Sequence, residues 1–149
     1  MTAAYRHVLV GTDGSATASE AVRHAAGVAA TFGAKLTVVT AYAPAGSPSG
    51  LDEVPDDLRW SVTDSAVATE RARDAKHLAV EAGAKDVATV VQEGDPAEVI
   101  LDTAELRGAD VIVVGSKGMT SPKRFLVGSV PNRISHHAPC DVIIVRTVH

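Results

Sequence analysis

Four small residues at fixed spacing are the first place to look for chemistry. Gly115 and Gly118 are followed, after nine intervening positions, by Gly128 and Ser129. Glycines let a backbone approach a ligand closely, and a helix N-terminus offers free N–H groups with a partial positive charge. A phosphate at Gly128 and Ser129 could take amide bonds and the Ser129 hydroxyl. Lys117, Lys123 and Arg124 place cations in the same stretch, where phosphate charge needs balancing. Spacing alone fits a long strand-to-helix connection equally well, its glycines merely satisfying backbone torsions. It is not a Walker A loop, which needs Lys-Ser/Thr directly after the last glycine, nor the G-x-G-x-x-G of dinucleotide folds.

Asp13 is the second candidate. It follows the apolar run His7 to Gly11, where a carboxylate can meet a ribose hydroxyl or a hydrated Mg²⁺. Its sequence context, Asp-Gly, equally suits an Asx-turn or a helix cap. Gly94-Asp95-Pro96 has a structural explanation in capping. The six histidines lack metal-ligand spacing, so they read as surface or partly buried residues. Cys140 carries no nucleophile motif and reads as a small buried residue. Ser15 and Ser129 have no His/Asp partner nearby, so no catalytic residue is assigned.

Positioning these groups requires a scaffold, and the chain alternates between two patterns. His7 to Gly11, Lys35 to Tyr42, Lys85 to Gln92, Asp110 to Gly115 and Asp141 to Arg146 are short apolar or β-branched runs, as buried strands are. Between the first two, Ala18, Ala21, Val22, Ala25, Val28, Ala29 and Phe32 form a helical stripe, with Ser15 as its cap and Gly33 as its stop. Ala43 to Pro55 has no periodicity and reads as the most mobile connection. A long helix is expected from Asp56 to Ala82, with Pro55 near its first turn, Gly83 past its end, and a sparse stripe at Leu58, Val62, Ala66, Leu78 and Ala79. Asp95-Pro96-Ala97-Glu98 spells an N-cap, a proline at N1 and a glutamate reaching back, opening a helix that runs to Arg107 and stops at Gly108. A short helix begins near Ser129 and ends before Pro139. Strands alternating with helices predict a doubly wound α/β fold, a parallel sheet with helices on both faces. Ligands of such sheets bind beyond the strand carboxyl ends, here Thr12-Asp13, Thr40-Ala41-Tyr42, Gly94-Asp95 and Gly115-Ser116.

Composition sets the outer limits. The 149 residues suit a single domain spanning 1–149. With 46% apolar but only 3% aromatic residues, the core must be built from Val, Ile, Leu and Ala. A net charge of −4 argues against nucleic acid as partner, which would call for a basic face. One cysteine fits a reducing compartment, and no apolar run approaches the roughly 18 residues of a membrane span. MTAAYRHVLV has no signal-peptide layout, so the expectation is a soluble, cytoplasmic protein with no membrane contact.

Together the motifs resemble the universal stress proteins. The nucleotide-binding members carry Gly-x2-Gly-x9-Gly-Ser/Thr, matched by Gly115, Gly118, Gly128 and Ser129. Further likeness lies in VLVGTDGS (Val8 to Ser15), GDPAEVI (Gly94 to Ile100) and ADVIVVGSKG (Ala109 to Gly118). The resemblance implies a five-stranded parallel sheet in order 3-2-1-4-5 and a homodimer formed through the last strand, Asp141 to Arg146. It also implies adenine-nucleotide binding, ATP with Mg²⁺ or cyclic AMP, with slow hydrolysis or none. Carried over by position, Asp13 would contact ribose or metal and Thr40 and Ala41 would meet adenine. Gly115, Gly118, Gly128, Ser129 and Val130 would surround ribose and phosphates, with Gly11, Thr12, Val114, Lys117 and Arg124 completing the set. Lys117 stands where many relatives have His or Arg, so a cation is kept. Three other readings compete. An α-phosphate-splitting transferase would need an SGGxDS loop or HxGH, and a receiver domain would need a phosphoacceptor Asp after its third strand. The third is a dimer acting through protein contacts without nucleotide.

Overall fold

Runs of Val, Ile and Leu flanked by alanine-rich segments form strands and covering helices in the computed structural model, which describes residues 4–42, 65–116 and 129–146. The described elements are β1 (His7–Gly11), α1 (Ala16–Phe32), β2 (Lys35–Tyr42), α2 (Ser65–Glu81), β3 (Val87–Glu93), α3 (Pro96–Arg107), β4 (Val111–Gly115), α4 (Ser129–His137) and β5 (Asp141–Val145). All five strands are parallel and lie in the order β3-β2-β1-β4-β5, as expected.

Alternation along each strand divides the core in two. Val8, Val10, Leu36, Val38, Val111 and Val113 pack against α1 and α2. Leu9, Val39, Ile112 and Val114 face α3 and α4, meeting Ala97, Val99, Ile100, Ala104 and Ile134. Because β1 bonds β2 on one side and β4 on the other, the chain reverses direction of travel between them. Their carboxyl ends therefore flank the crevice where doubly wound sheets take ligands.

Local signals set the helix ends. Ser15 Oγ accepts from Ala18 N at 3.1 Å, and Gly33 takes the left-handed conformation (φ 65°) that lets its N–H close on α1 carbonyls. Asp95 Oδ2 accepts from Glu98 N at 3.1 Å, Pro96 occupies the first turn, and Gly108 (φ 65°) ends α3. The glutamate half of the expected box differs: Glu98 Oε1 lies 3.8 Å from the Arg133 guanidinium, drawn by its charge.

Further expectations are corrected. The third strand starts at Val87, two residues later than expected, and extends through Glu93 because Tyr42 pairs with it. The fourth starts at Val111, since Asp110 turns its carboxylate to the amides of Arg6 and His7 at 2.8 and 3.0 Å. The fifth ends at Val145, one residue before Arg146, where Gly115 of β4 has its last partner. In α2 the buried stripe is Ala68, Ala72, Ala75 and Ala79, while Ala66 is exposed and Leu78 half-buried. Alanine commits no helix face by itself, so contacts with α1 and the sheet choose it. Phe32 closes its stripe only partly, 43% exposed with its ring edge-on to Tyr5 at 5.1 Å. Ala43 to Pro55 and the expected first turns of the long helix, Asp56 to Asp64, lie outside the described residues. No helix among the described residues is long and apolar enough to cross a membrane.

Candidate functional site at the sheet's carboxyl edge

The turn after β1 is held by its own polar groups. Thr12 N donates to Val39 O at 2.9 Å, carrying the β1–β2 pairing one residue past Gly11. Gly14 N donates to Thr12 Oγ1 at 3.1 Å, and Ser15 N to Asp13 Oδ1 at 2.8 Å. Gly14 sits at φ 82°, a left-handed position that favours glycine. One carboxyl oxygen of Asp13 thus makes the Asx-turn that Asp-Gly suggests.

The other oxygen is different. Asp13 is only 7% exposed, yet its Oδ2 has no hydrogen-bond partner among the described residues. Thr40 Oγ1, on a side chain in a residue 2% exposed, is likewise without a partner. Thr40 follows Val39, to which Thr12 is bonded, so both atoms lie at the carboxyl edge shared by β1 and β2. A buried polar atom left unpaired costs about 1–3 kcal/mol. Two at one strand edge mark a place where ligand polar groups would relieve that cost.

The other expected site residues distribute as follows. Thr12 is buried, and Ala41 is half-buried against the second core cluster. Val114 points its side chain into that cluster, leaving only its backbone for a ligand. Gly115 ends β4 opposite Val145, and Ser116 N extends the pairing to Val145 O at 2.7 Å. Gly11 has a reason of its own: a Cβ there would stand 2.5 Å from Ile100 Cδ1, so its missing side chain makes room for α3. Ser129 begins α4, and Val130 packs half-buried against the second cluster. Lys117, Gly118, Lys123, Arg124 and Gly128 lie outside the described residues.

Two arginines join this edge without having been singled out in sequence. Arg71 of α2 covers Gly14: its Cγ and Cδ would be 3.0 Å from a Cβ at that position. Its place one residue before the buried Ala72 is the signal that it borders the packed face. A cavity of about 100 Å³ lies there, lined by Thr12, Gly14, Ser19, Arg71, Asp74, Ala75 and Leu78. Arg133 of α4 donates to Asp95 Oδ2 at 2.9 Å, tying α4 to the cap of α3. A further cavity of about 190 Å³ opens at the opposite edge, beside Ala29, Gly33, Lys35, Gly83, Lys85 and Asp86. Among the described residues no buried side-chain polar atom is left unpartnered there.

The remaining reactive groups are quiet. Burial, then the carboxylates of Asp141 and Asp110, push the Cys140 thiol above its usual value, which disfavours the thiolate. His7 is engaged at both ring nitrogens, with Thr37 Oγ1 at 2.6 Å and Arg107 O at 3.2 Å. Among the described residues no three His, Cys, Asp or Glu side chains group as a metal site. A lone carboxylate at Asp13 still suits Mg²⁺, which commonly takes one or two carboxylates alongside substrate phosphates and water.

Comparison with known proteins is consistent along the chain. A family model described as the universal stress protein family matches residues 4–146. A universal stress protein of Mycobacterium tuberculosis is 38% identical over 144 residues, covering 97% of this chain and 98% of the relative. Universal stress protein UspA from Lactobacillus plantarum superposes with a TM-score of 0.78 at 32% identity, over 97% of this chain and 100% of that one. A universal stress protein solved in complex with cAMP gives 0.74 at 34% identity, over 97% and 99%.

Proposed function

Because this chain belongs to the universal stress protein family, we propose that it binds an adenine nucleotide, ATP or cyclic AMP, across the carboxyl ends of β1, β2 and β4, as a single-domain binding and signalling module that hydrolyses ATP slowly or not at all. The observation that carries this reading is the pair of buried oxygens without a partner among the described residues, Asp13 Oδ2 and Thr40 Oγ1. An adenosine moiety has what they lack. Ribose hydroxyls can donate to the Asp13 oxygen, while adenine offers both donors and acceptors to a threonine hydroxyl. The solved relative in complex with cAMP, 34% identical over nearly the whole chain, supports the class of ligand.

The phosphate half rests on the glycine register. Gly115, Gly118, Gly128 and Ser129 would give the phosphates backbone amides, and Lys117 and Arg124 would balance charge. Mg²⁺ entering with ATP would neutralise phosphate charge, and Asp13 Oδ2 would be its protein ligand in place of the ribose contact. The fit is to a nucleotide held, and no residue is assigned to chemistry on it.

Thr40→Val separates function from stability by sign. Removing an unpartnered buried hydroxyl should leave the free protein as stable or raise it by about 1 kcal/mol. Losing a hydrogen-bonding group for the base should weaken ATP or cyclic AMP binding about tenfold in calorimetric titration. Unchanged affinity in a folded variant would remove Thr40 from the site.

A second copy pairing on β5 fits the same reading. β5 is an edge strand, and Ile144 on it is 39% exposed. Dimerisation through Asp141 to Arg146 predicts that Ile144→Lys gives a monomer in sedimentation. A chain that dimerises but takes no nucleotide would favour the nucleotide-independent alternative.

A further inference from the structure

We propose that Arg71 is a positioning residue for this site: its side-chain stem, lying on Gly14, holds the turn after β1 so that Asp13 Oδ2 keeps its aim. The proposal rests on the nucleotide reading above and adds α2 to the machinery of the site.

The turn's own hydrogen bonds fix its shape. Gly14 N to Thr12 Oγ1, Ser15 N to Asp13 Oδ1 and Ala18 N to Ser15 Oγ all lie within residues 12–18. Thr12 N to Val39 O anchors only the first of those residues to the sheet. Ser15 O accepts from Ser19 N at 3.0 Å and from Ser19 Oγ at 3.1 Å, tying the far end to α1, and Gly14 between these two anchors is met from a further element by Arg71. Its Cγ and Cδ would stand 3.0 Å from a Cβ at Gly14, and its Nε 3.3 Å. Only glycine allows that approach, for at φ 82° it supplies both the left-handed turn and the bare surface on which the stem lies.

α2 is a firm platform for this. Ala68, Ala72, Ala75 and Ala79 are all buried against α1 and the sheet, on either side of Arg71 along the helix. Small side chains allow close packing, and long arginine stems cover neighbouring backbone well. The cavity of about 100 Å³ beside Gly14 and Arg71 gives the turn somewhere to move once the stem is removed. Truncation at position 71 should therefore let the turn settle towards α2 and swing Asp13 with it.

Arg71→Ala and Arg71→Met test this. Methionine keeps a stem of similar reach and removes the charge. The first readout is amide exchange of Ser15 in the unliganded protein, and the second is calorimetric titration with ATP and Mg²⁺. In Arg71→Ala, Ser15 exchange should accelerate about tenfold, one decade of a local opening equilibrium. ATP affinity should fall about fivefold or more, as for one misdirected charged hydrogen bond. Global melting should be unchanged, and Arg71→Met should restore both readouts to within about twofold of the parent. Ser15 protection unchanged in Arg71→Ala overturns the proposal. So does Arg71→Met behaving like Arg71→Ala, since the guanidinium and not the stem would then matter. If the parent protein binds no ATP, the nucleotide reading fails, and the exchange measurement still decides whether Arg71 holds the turn.

Discussion

Gly11→Ala is the sharpest structural test of what this edge is for. The new methyl would lie 2.5 Å from Ile100 Cδ1 and 3.3 Å from its Cγ1, where carbon atoms pack at about 3.5–4.0 Å. Ile100 is 2% exposed among α3 and sheet side chains, so it cannot swing into solvent. Relief must come from an off-rotamer Ile100 or a shifted α3, and overpacking of this kind costs about 1–3 kcal/mol. Gly11 is not at a positive φ, so alanine suits its backbone and recovers roughly 0.4–1 kcal/mol through the unfolded chain. The net loss should be about 1–2 kcal/mol. Ile100→Val removes the Cδ1 atom and alone costs about 0.5–1.5 kcal/mol. The double variant should then be more stable than the sum of the two losses by about 1 kcal/mol. Urea denaturation of all four proteins measures that coupling, and ATP affinity should be the same in parent and double variant. Additivity within about 0.5 kcal/mol would refute the contact. Lost nucleotide binding in a stable double variant would show that Gly11 is glycine for the ligand instead.

Three further outcomes follow from named contacts. Tyr5 donates its hydroxyl to Asp141 Oδ2 at 3.0 Å, and that bond, with burial and the carboxylate's charge, raises the phenol above its usual value near 10. The stabilisation is complete below about pH 10 and lost as pH rises through the raised value, so Tyr5→Phe should flatten the alkaline limb of a melting-temperature profile. Asp95→Ala removes the α3 cap and should cost about 1 kcal/mol in urea denaturation. Arg133→Ala breaks only exposed contacts, to Asp95 and Glu98, and should cost about 1 kcal/mol or less, so a larger loss for Arg133 than for Asp95 would contradict this ranking.

What sequence made legible was local. Ser15, Gly33, Asp95, Pro96 and Gly108 act on backbone within a few residues, and each takes its expected cap or turn. Strand order came through motif resemblance, and the sheet matches it. The α2 stripe differs from its expected positions because alanine at 66 and alanine at 68 look alike until a neighbour buries one. Ile100 under Gly11 and Arg71 over Gly14 join residues far apart in the chain, and no spacing rule reaches them. In sequence, Asp13 suits either a turn or a ligand contact. Its first oxygen makes the turn, and its second stays buried without a partner among the described residues, so the two roles are compatible.

An adenine nucleotide held at the carboxyl edge of β1, β2 and β4 would perturb the backbone around it. Titrating ATP and Mg²⁺ into isotope-labelled protein and following backbone amides tests it residue by residue. Saturable shifts are expected at Thr12 to Ser15, at Thr40 and Ala41, at Gly115 and Ser116, and at Ser129 and Val130. No shifts at millimolar nucleotide, or shifts confined to the opposite edge around Gly33 and Gly83, would contradict it.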